Sequence, residues 1–206
     1  MALPLQPGRP WPRGWQVLIG LLGLLALLLA LGVLGLERRP PIALLITEPG
    51  QPLRYARAAE RAIASARHRV WVMQYVVRLD DGPVLALMEA LAAARARGVE
   101  VRVVLDRGLM YGTTDPDLKN DRAGEWLQAH GIEVVWDEVA STSHAKLVLV
   151  DDAVVLLGSH NWTRAALTSN REVSMALQSP QEIEAIAQLF RNVTGWNAMP
   201  GNPGRD

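Results

Sequence analysis

The sequence contains no cysteine, which excludes a disulfide framework, a thiolate zinc site and a cysteine nucleophile, and leaves the redox compartment open. It has a single phenylalanine and only two lysines, Lys119 and Lys146, every other basic position being arginine. In a chain that otherwise uses planar guanidinium groups, each lysine marks a place where a compact ammonium is wanted. An excess of charge of one sign is also missing, with 21 Lys and Arg facing 21 Asp and Glu. Residues 1–40 hold Arg9, Arg13, Arg38 and Arg39 against Glu37, a net of +3, so the remainder carries −3. A broadly basic surface that coats nucleic acid is therefore not expected, although a local basic cleft fits the count. At 206 residues there is room for one domain with an appendage and not for a multidomain enzyme. Half of the residues are hydrophobic and 20% are charged, a balance that excludes a disordered chain.

What the sequence does have is an uncharged run over residues 15–36, WQVLIGLLGLLALLLALGVLGL. As a helix it would extend about 33 Å, enough to span a bilayer. Trp11 and Trp15 stand where an interfacial aromatic belt would lie. Arg9 and Arg13 form a basic flank over residues 1–14 that favours the cytoplasmic side, which would put the rest of the chain outside the cytoplasm. Arg38 and Arg39 oppose that topology. The alternative is a cleaved signal, with Ala30-Leu31-Gly32 as the small-residue site and a secreted or periplasmic product. Residues 37–41, Glu-Arg-Arg-Pro-Pro, form a stiff polar linker in either case.

Beyond the linker, short apolar runs alternate with helical spacing. Strands are expected over 42–46, 70–77, 99–105, 132–136, 146–150, 153–157 and 172–177. Helices are expected over 52–66, from Val84 to a stop at Gly98, over 120–130 with a stop at Gly131, and from Ser179-Pro180-Gln181-Glu182 onward as a capping box. Residues 107–118 have loop chemistry, in which Met110 and Tyr111 could meet a substrate and Asp115 and Asp117, with Asp121, suit turns and caps better than a metal. The fold class that follows is an α/β domain over 42–195, a mixed β-sheet flanked by helices, preceded by one N-terminal transmembrane helix and followed by a loose tail at 196–206.

The segment that carries chemistry runs from His144 to Asn161. His144, Lys146, Asp151, Gly158, Ser159 and Asn161 stand as H-x-K-x4-D-x6-G-S-x-N. On a strand, His144 and Lys146 project from one face, so an imidazole and an ammonium share one pocket. After the partner strand ends at Gly158, Ser159 and Asn161 can return a hydroxyl and an amide beside them. That set suits a phosphate, with Lys146 and Asn161 on non-bridging oxygens and a neutral imidazole nitrogen attacking phosphorus. No metal or other cofactor is required by it.

This motif resembles the HKD motif of the phospholipase D superfamily. Six specified positions at about 5% each would coincide by accident with odds on the order of 10⁻⁵ or less. The resemblance implies that His144 is the nucleophile of a phosphohistidine intermediate, that Lys146, Ser159 and Asn161 bind the phosphate, and that Asp151 and Gly158 are structural. It further implies that Glu172, on the strand that follows, orients the imidazole. The superfamily opposes two motifs, and this chain has one: His68, His130 and His160 are not followed by a matching lysine. A homodimer that pairs two copies of His144 is therefore expected. Single-motif relatives of this kind are small bacterial nucleases and mitochondrial phospholipase D or Zucchini-type enzymes, so the implied substrate is a phospholipid or a nucleic acid. The cysteine-rich zinc insert of the Zucchini type is absent. A membrane-tethered module that binds phosphate without turnover is the alternative from another class.

Overall fold

A computed structural model describes residues 13–36, 42–107, 120–137 and 142–196. The basic flank up to residue 12, the linker 37–41, Met110, Tyr111, Asp115 and Asp117, and the tail beyond Trp196 lie outside the described residues. The chain divides into two units, 1–39 and 40–206.

In the first unit a helix α1 covers Arg13–Leu36 and so contains the stretch expected to span a membrane. Its described large apolar side chains, among them Leu18, Leu22 and Leu29, are between 46 and 61% exposed. Among the described residues no helix is long and apolar enough to cross a membrane. The expected span is thus present as a helix.

The second unit is built on one mixed sheet. Its strands are β1 (Ala43–Thr47), β2 (Arg69–Gln74), β3 (Glu100–Leu105), β4 (Glu133–Trp136), β5 (Lys146–Val150), β6 (Val154–Gly158) and β7 (Glu172–Leu177), in the order β1-β7-β6-β5-β2-β3-β4. The helices are α2 (Arg54–Ser65), α3 (Pro83–Ala96), α4 (Asp121–Ala129), α5 (Arg164–Thr168) and α6 (Pro180–Thr194). Crossovers through α3 and α4 make β2, β3 and β4 parallel, whereas β5, β6, β7 and β1 join as antiparallel neighbours. This is the helix-flanked mixed sheet that the alternation of runs predicts.

Each face of the sheet has its own core. On one, Val70 and Val72 of β2, Val101 and Val103 of β3, and Val148 and Val150 of β5 meet the buried stripes of α2 and α3. Tyr55, Ala56, Ala59 and Ile63 recur at helical spacing along α2, which is why that helix lies flat on the sheet. On the other face, Trp71, Met73, Leu147, Leu149 and Val155 pack against Ile183, Ala187 and Phe190 of α6. Leu44, Ile46 and Val173, at the β1 and β7 end of that face, are 50, 37 and 52% exposed.

Four local expectations are corrected. Strand β2 stops at Gln74 rather than at residue 77, because the Asn120 side chain takes the backbone groups beyond it. The helix after the linker begins at Arg54 behind Leu53 in a left-handed conformation, not at residue 52. The Ser179 hydroxyl bonds the Glu182 carboxylate itself and not a backbone N–H, so the expected capping box is not formed. Trp196 is no loose tail: it is buried against Trp71 and Phe190, and its Nε1 donates to Glu133 over 2.9 Å.

Candidate active site

The carboxyl ends of parallel strands β2 and β3 and the start of antiparallel β5 share one edge of the sheet, where open α/β sheets characteristically bind ligands. Lys146 opens β5 and is 5% exposed; His144, two residues earlier, is exposed. The Lys146 Nζ lies 3.1 Å from Nδ1 and 3.4 Å from Nε2 of His144 and donates to the His144 carbonyl oxygen over 2.7 Å. Tyr75, just past the end of β2, underlies both groups. Its ring centroid is 4.3 Å from that of His144 and 4.9 Å from Lys146 Nζ.

Burial pushes the Lys146 pKa below its ordinary value, while the charges of Glu172 and then Asp106 act in the opposite sense and favour the ammonium. Asp106 follows β3 and is buried, and its carboxylate accepts the Ser143 backbone N–H over 2.9 Å. Asn120 binds this edge together from the N-terminus of α4. Its Oδ1 accepts Val77 N–H over 2.7 Å, and its Nδ2 donates to the carbonyls of Tyr75 and Asp106 over 3.1 and 2.7 Å.

Strand β6 delivers the remaining motif residues. A Cβ on Gly158 would sit 2.4 Å from the Ser174 Cα, so only glycine lets β6 approach β7 this closely. Ser159 then donates its hydroxyl to the Glu172 carboxylate and accepts Val173 N–H over 3.0 Å. The other oxygen of Glu172 accepts from Asn170 Nδ2 over 3.1 Å. Glu172 makes no hydrogen bond to His144 within the chain, so the orienting contact that the resemblance implies is not seen here. Asn161 is half-buried, and its Oδ1 has no partner.

Asp151 lies at the far end of β5 from His144. In a left-handed turn position, its carboxylate accepts three successive backbone N–H groups, of Arg67, His68 and Arg69, over 3.0, 2.8 and 2.9 Å. It ties the β5–β6 turn to the start of β2. His160 faces the interior, stacked on Tyr55 with centroids 4.4 Å apart and bonded to Ser174 and Thr47 over 2.7 and 2.9 Å. Burial lowers its pKa to about 4.

Tyr75, Asp106, Asn120 and Gln74 were not singled out by sequence reasoning. The signal that could have found the first two is their place just past the carboxyl ends of parallel strands. A cavity of about 550 Å³ lies elsewhere, lined by Arg78, Asp80, Thr163 and Arg164 among others and by none of the motif residues. Asp80 and Asp81 already pair with Arg164 there. Among the described residues no cluster of three His, Asp or Glu side chains is arranged to hold a metal ion.

Fold and site together define a class: an α/β domain with an exposed histidine and a buried lysine at one edge of a mixed sheet. A family model described as the PLD-like domain of cardiolipin synthase matches residues 60–194, and the chain belongs to that family, within the phospholipase D superfamily. It is similar to the mitochondrial cardiolipin hydrolase of Xenopus tropicalis, 29% identical over 200 residues, covering 89% of this chain and 90% of the relative. It is also similar to a phospholipase D of Rickettsia conorii, 34% identical over 103 residues, 50% of this chain and 48% of that protein. The chain thus spans about half the length of some curated relatives, 52% in the case of the Chlamydomonas reinhardtii mitochondrial cardiolipin hydrolase. Among solved structures, a phospholipase D family member, Nuc from Salmonella typhimurium, superimposes with a TM-score of 0.63 at 26% identity, over 76% of this chain and 95% of that one.

Proposed function

We propose that the chain is a metal-independent phosphodiesterase that cleaves its substrate in two steps through His144. The observation that carries this reading is the buried ammonium of Lys146 set 3.1 Å from the imidazole of an exposed histidine. A lysine only donates, so the imidazole nitrogen facing it accepts, and the Lys146 ammonium engages that lone pair. An arriving phosphodiester, carrying full negative charge, takes over the ammonium and frees the lone pair for attack on phosphorus. A nitrogen–phosphorus bond forms, the bond to the leaving oxygen breaks, and that oxygen takes a proton from a second imidazole. Water then gives a proton back to that second imidazole, adds its oxygen to phosphorus and expels His144, which restores both groups. Lys146 and Asn161 hold the non-bridging oxygens, Ser159 supports the site through its hydrogen bond to Glu172, and Glu172 contributes by keeping Lys146 charged.

The second imidazole is assigned to His144 of another copy of the chain, since His160 is locked inside the core. The open apolar sheet face at Leu44, Ile46 and Val173 supports a partner of this kind. The helix α1 is read as a membrane anchor over 15–36. That anchor, the net −3 of the remaining chain and the likeness to cardiolipin hydrolases favour a phospholipid over nucleic acid as substrate.

The test incubates the full chain, in detergent and EDTA, with cardiolipin-containing vesicles, single-stranded DNA and duplex DNA, using His144→Ala as the blank. The expected result is headgroup or phosphatidic acid release that vanishes in His144→Ala. Cleaved DNA would keep the mechanism and overturn the lipid assignment. No turnover of any of the three would overturn the enzyme in favour of a phosphate-binding module.

A further inference from the structure

Gln74 ends β2 in full burial, yet neither its amide nitrogen nor its amide oxygen has a hydrogen-bond partner. Buried amides in native proteins are almost always paired, because the hydration they give up is not otherwise recovered. Nothing in the surrounding packing asks for an amide. Along the same face, β2 carries Val70 and Val72 and β5 carries Val148 and Val150, all in the apolar core. A leucine or methionine would fill this place at no desolvation cost, and its absence calls for a reason outside packing.

The register supplies one. Gln74 stands directly opposite Lys146 across the antiparallel β2–β5 pair, and directly opposed residues project from the same face of a sheet. A second amide oxygen without a partner, Oδ1 of Asn161, is also buried. The Trp162 N–H donates to the Val76 carbonyl over 3.0 Å, which fastens the segment carrying Asn161 to the chain just past Gln74. One orphaned amide therefore stands across the strand pair from the Lys146 ammonium, and the other lies on the segment tied to the chain just past Gln74. That ammonium has three protons, of which one goes to the His144 carbonyl and one faces the His144 ring.

We infer that Gln74 is a positioning residue for phosphate binding and turnover: its amide is the group to which Lys146 and Asn161 turn when a phosphate draws the ammonium away from His144. Its oxygen accepts from Nζ and fixes that ammonium on the phosphate; its nitrogen donates to Asn161 Oδ1 and leaves the Asn161 amide nitrogen to the substrate. An amide without a partner costs free energy, and that cost is relieved when phosphate is bound. This inference rests on reading His144 and Lys146 as a phosphodiesterase site.

The experiment uses the full chain in detergent, with Gln74→Leu and Gln74→Met as variants that keep volume and remove the amide. Three quantities are read: the thermal midpoint, the affinity for inorganic phosphate by calorimetry, and kcat and KM on bis(p-nitrophenyl) phosphate. Both variants are expected to melt at or above the wild-type temperature, to bind phosphate several-fold more weakly, and to lose about 10- to 100-fold in kcat with a smaller change in KM. Unchanged kcat and unchanged phosphate affinity would overturn the inference. So would a fall in melting temperature in both variants that tracks the loss of activity, since the amide would then be holding the fold. Should the wild type turn over no phosphodiester, the phosphodiesterase reading fails on its own, and phosphate affinity decides Gln74: weaker binding at an equal or higher melting temperature upholds it, equal binding overturns it.

Discussion

His144 and His160 flank the β5–β6 hairpin, and burial gives them different work. His160 is enclosed by Tyr55, Ser174 and Thr47, and although the Glu172 charge favours its cation, desolvation is the larger effect and brings its pKa from 6.5 to about 4. The folded state therefore takes up this proton less readily than the unfolded chain. Its contribution to stability is complete above pH 6.5 and is lost as pH falls through about 4, amounting to on the order of 3 kcal/mol over that window. Denaturant midpoints measured from pH 7 to pH 4 should fall accordingly, and His160→Asn should be less stable at neutral pH with a flatter slope. An equally steep slope in His160→Asn would assign the acid sensitivity elsewhere. At this scale the sequence discloses what a motif repeats, namely His144 with Lys146 and Ser159 with Asn161. Gln74 and Asn120 are silent there, because each is a lone amide whose importance comes from strands and carbonyls far away in the chain.

Among the elements, the β6–β7 pair shows how a motif glycine is a packing requirement. Gly158 is paired with Ser174, and a methyl on it would meet the Ser174 Cα and the Val173 carbonyl oxygen at 2.4 and 2.5 Å. Both are backbone atoms and cannot rotate away, so the strands themselves would have to part. Gly158→Ala is expected to lose roughly 2–4 kcal/mol of stability by denaturant titration. It should also lose turnover even under conditions where it remains folded, since Ser159 and Asn161 follow directly on the displaced strand. The alternation of strands and helices is legible because apolar period and stop signals agree over β3, α4, β5 and β6. The expectation failed where a side chain from elsewhere took over the backbone. Asn120 ends β2 early by capturing Tyr75 and Val77, and the indole of Trp196 closes the core beneath α6, where composition alone suggests a tail. Such events are long-range and leave no local pattern.

The sheet of the second unit is wider than the helix laid across it. With α6 packed over β5 and β6, the apolar side chains of β1 and β7 on that face stay open, at Leu44, Ile46 and Val173. A face of this kind suits a self-complementary two-fold interface, and the mechanism proposed here needs a second His144 that one chain does not have. Mixing distinguishes a shared site from two independent ones. If wild type and His144→Ala are unfolded together in equal amounts, refolded and reconstituted in detergent, independent sites retain about half of the all-wild-type activity, whereas a site needing both histidines survives only in wild-type pairs, about a quarter. Leu44→Glu, which places a charge on the open face, should shift the chain to monomer in sedimentation and remove activity with it. Retention near one half, or a fully active Leu44→Glu monomer, would show that one chain completes its own site, and the search for the second proton donor would return to groups around a single His144.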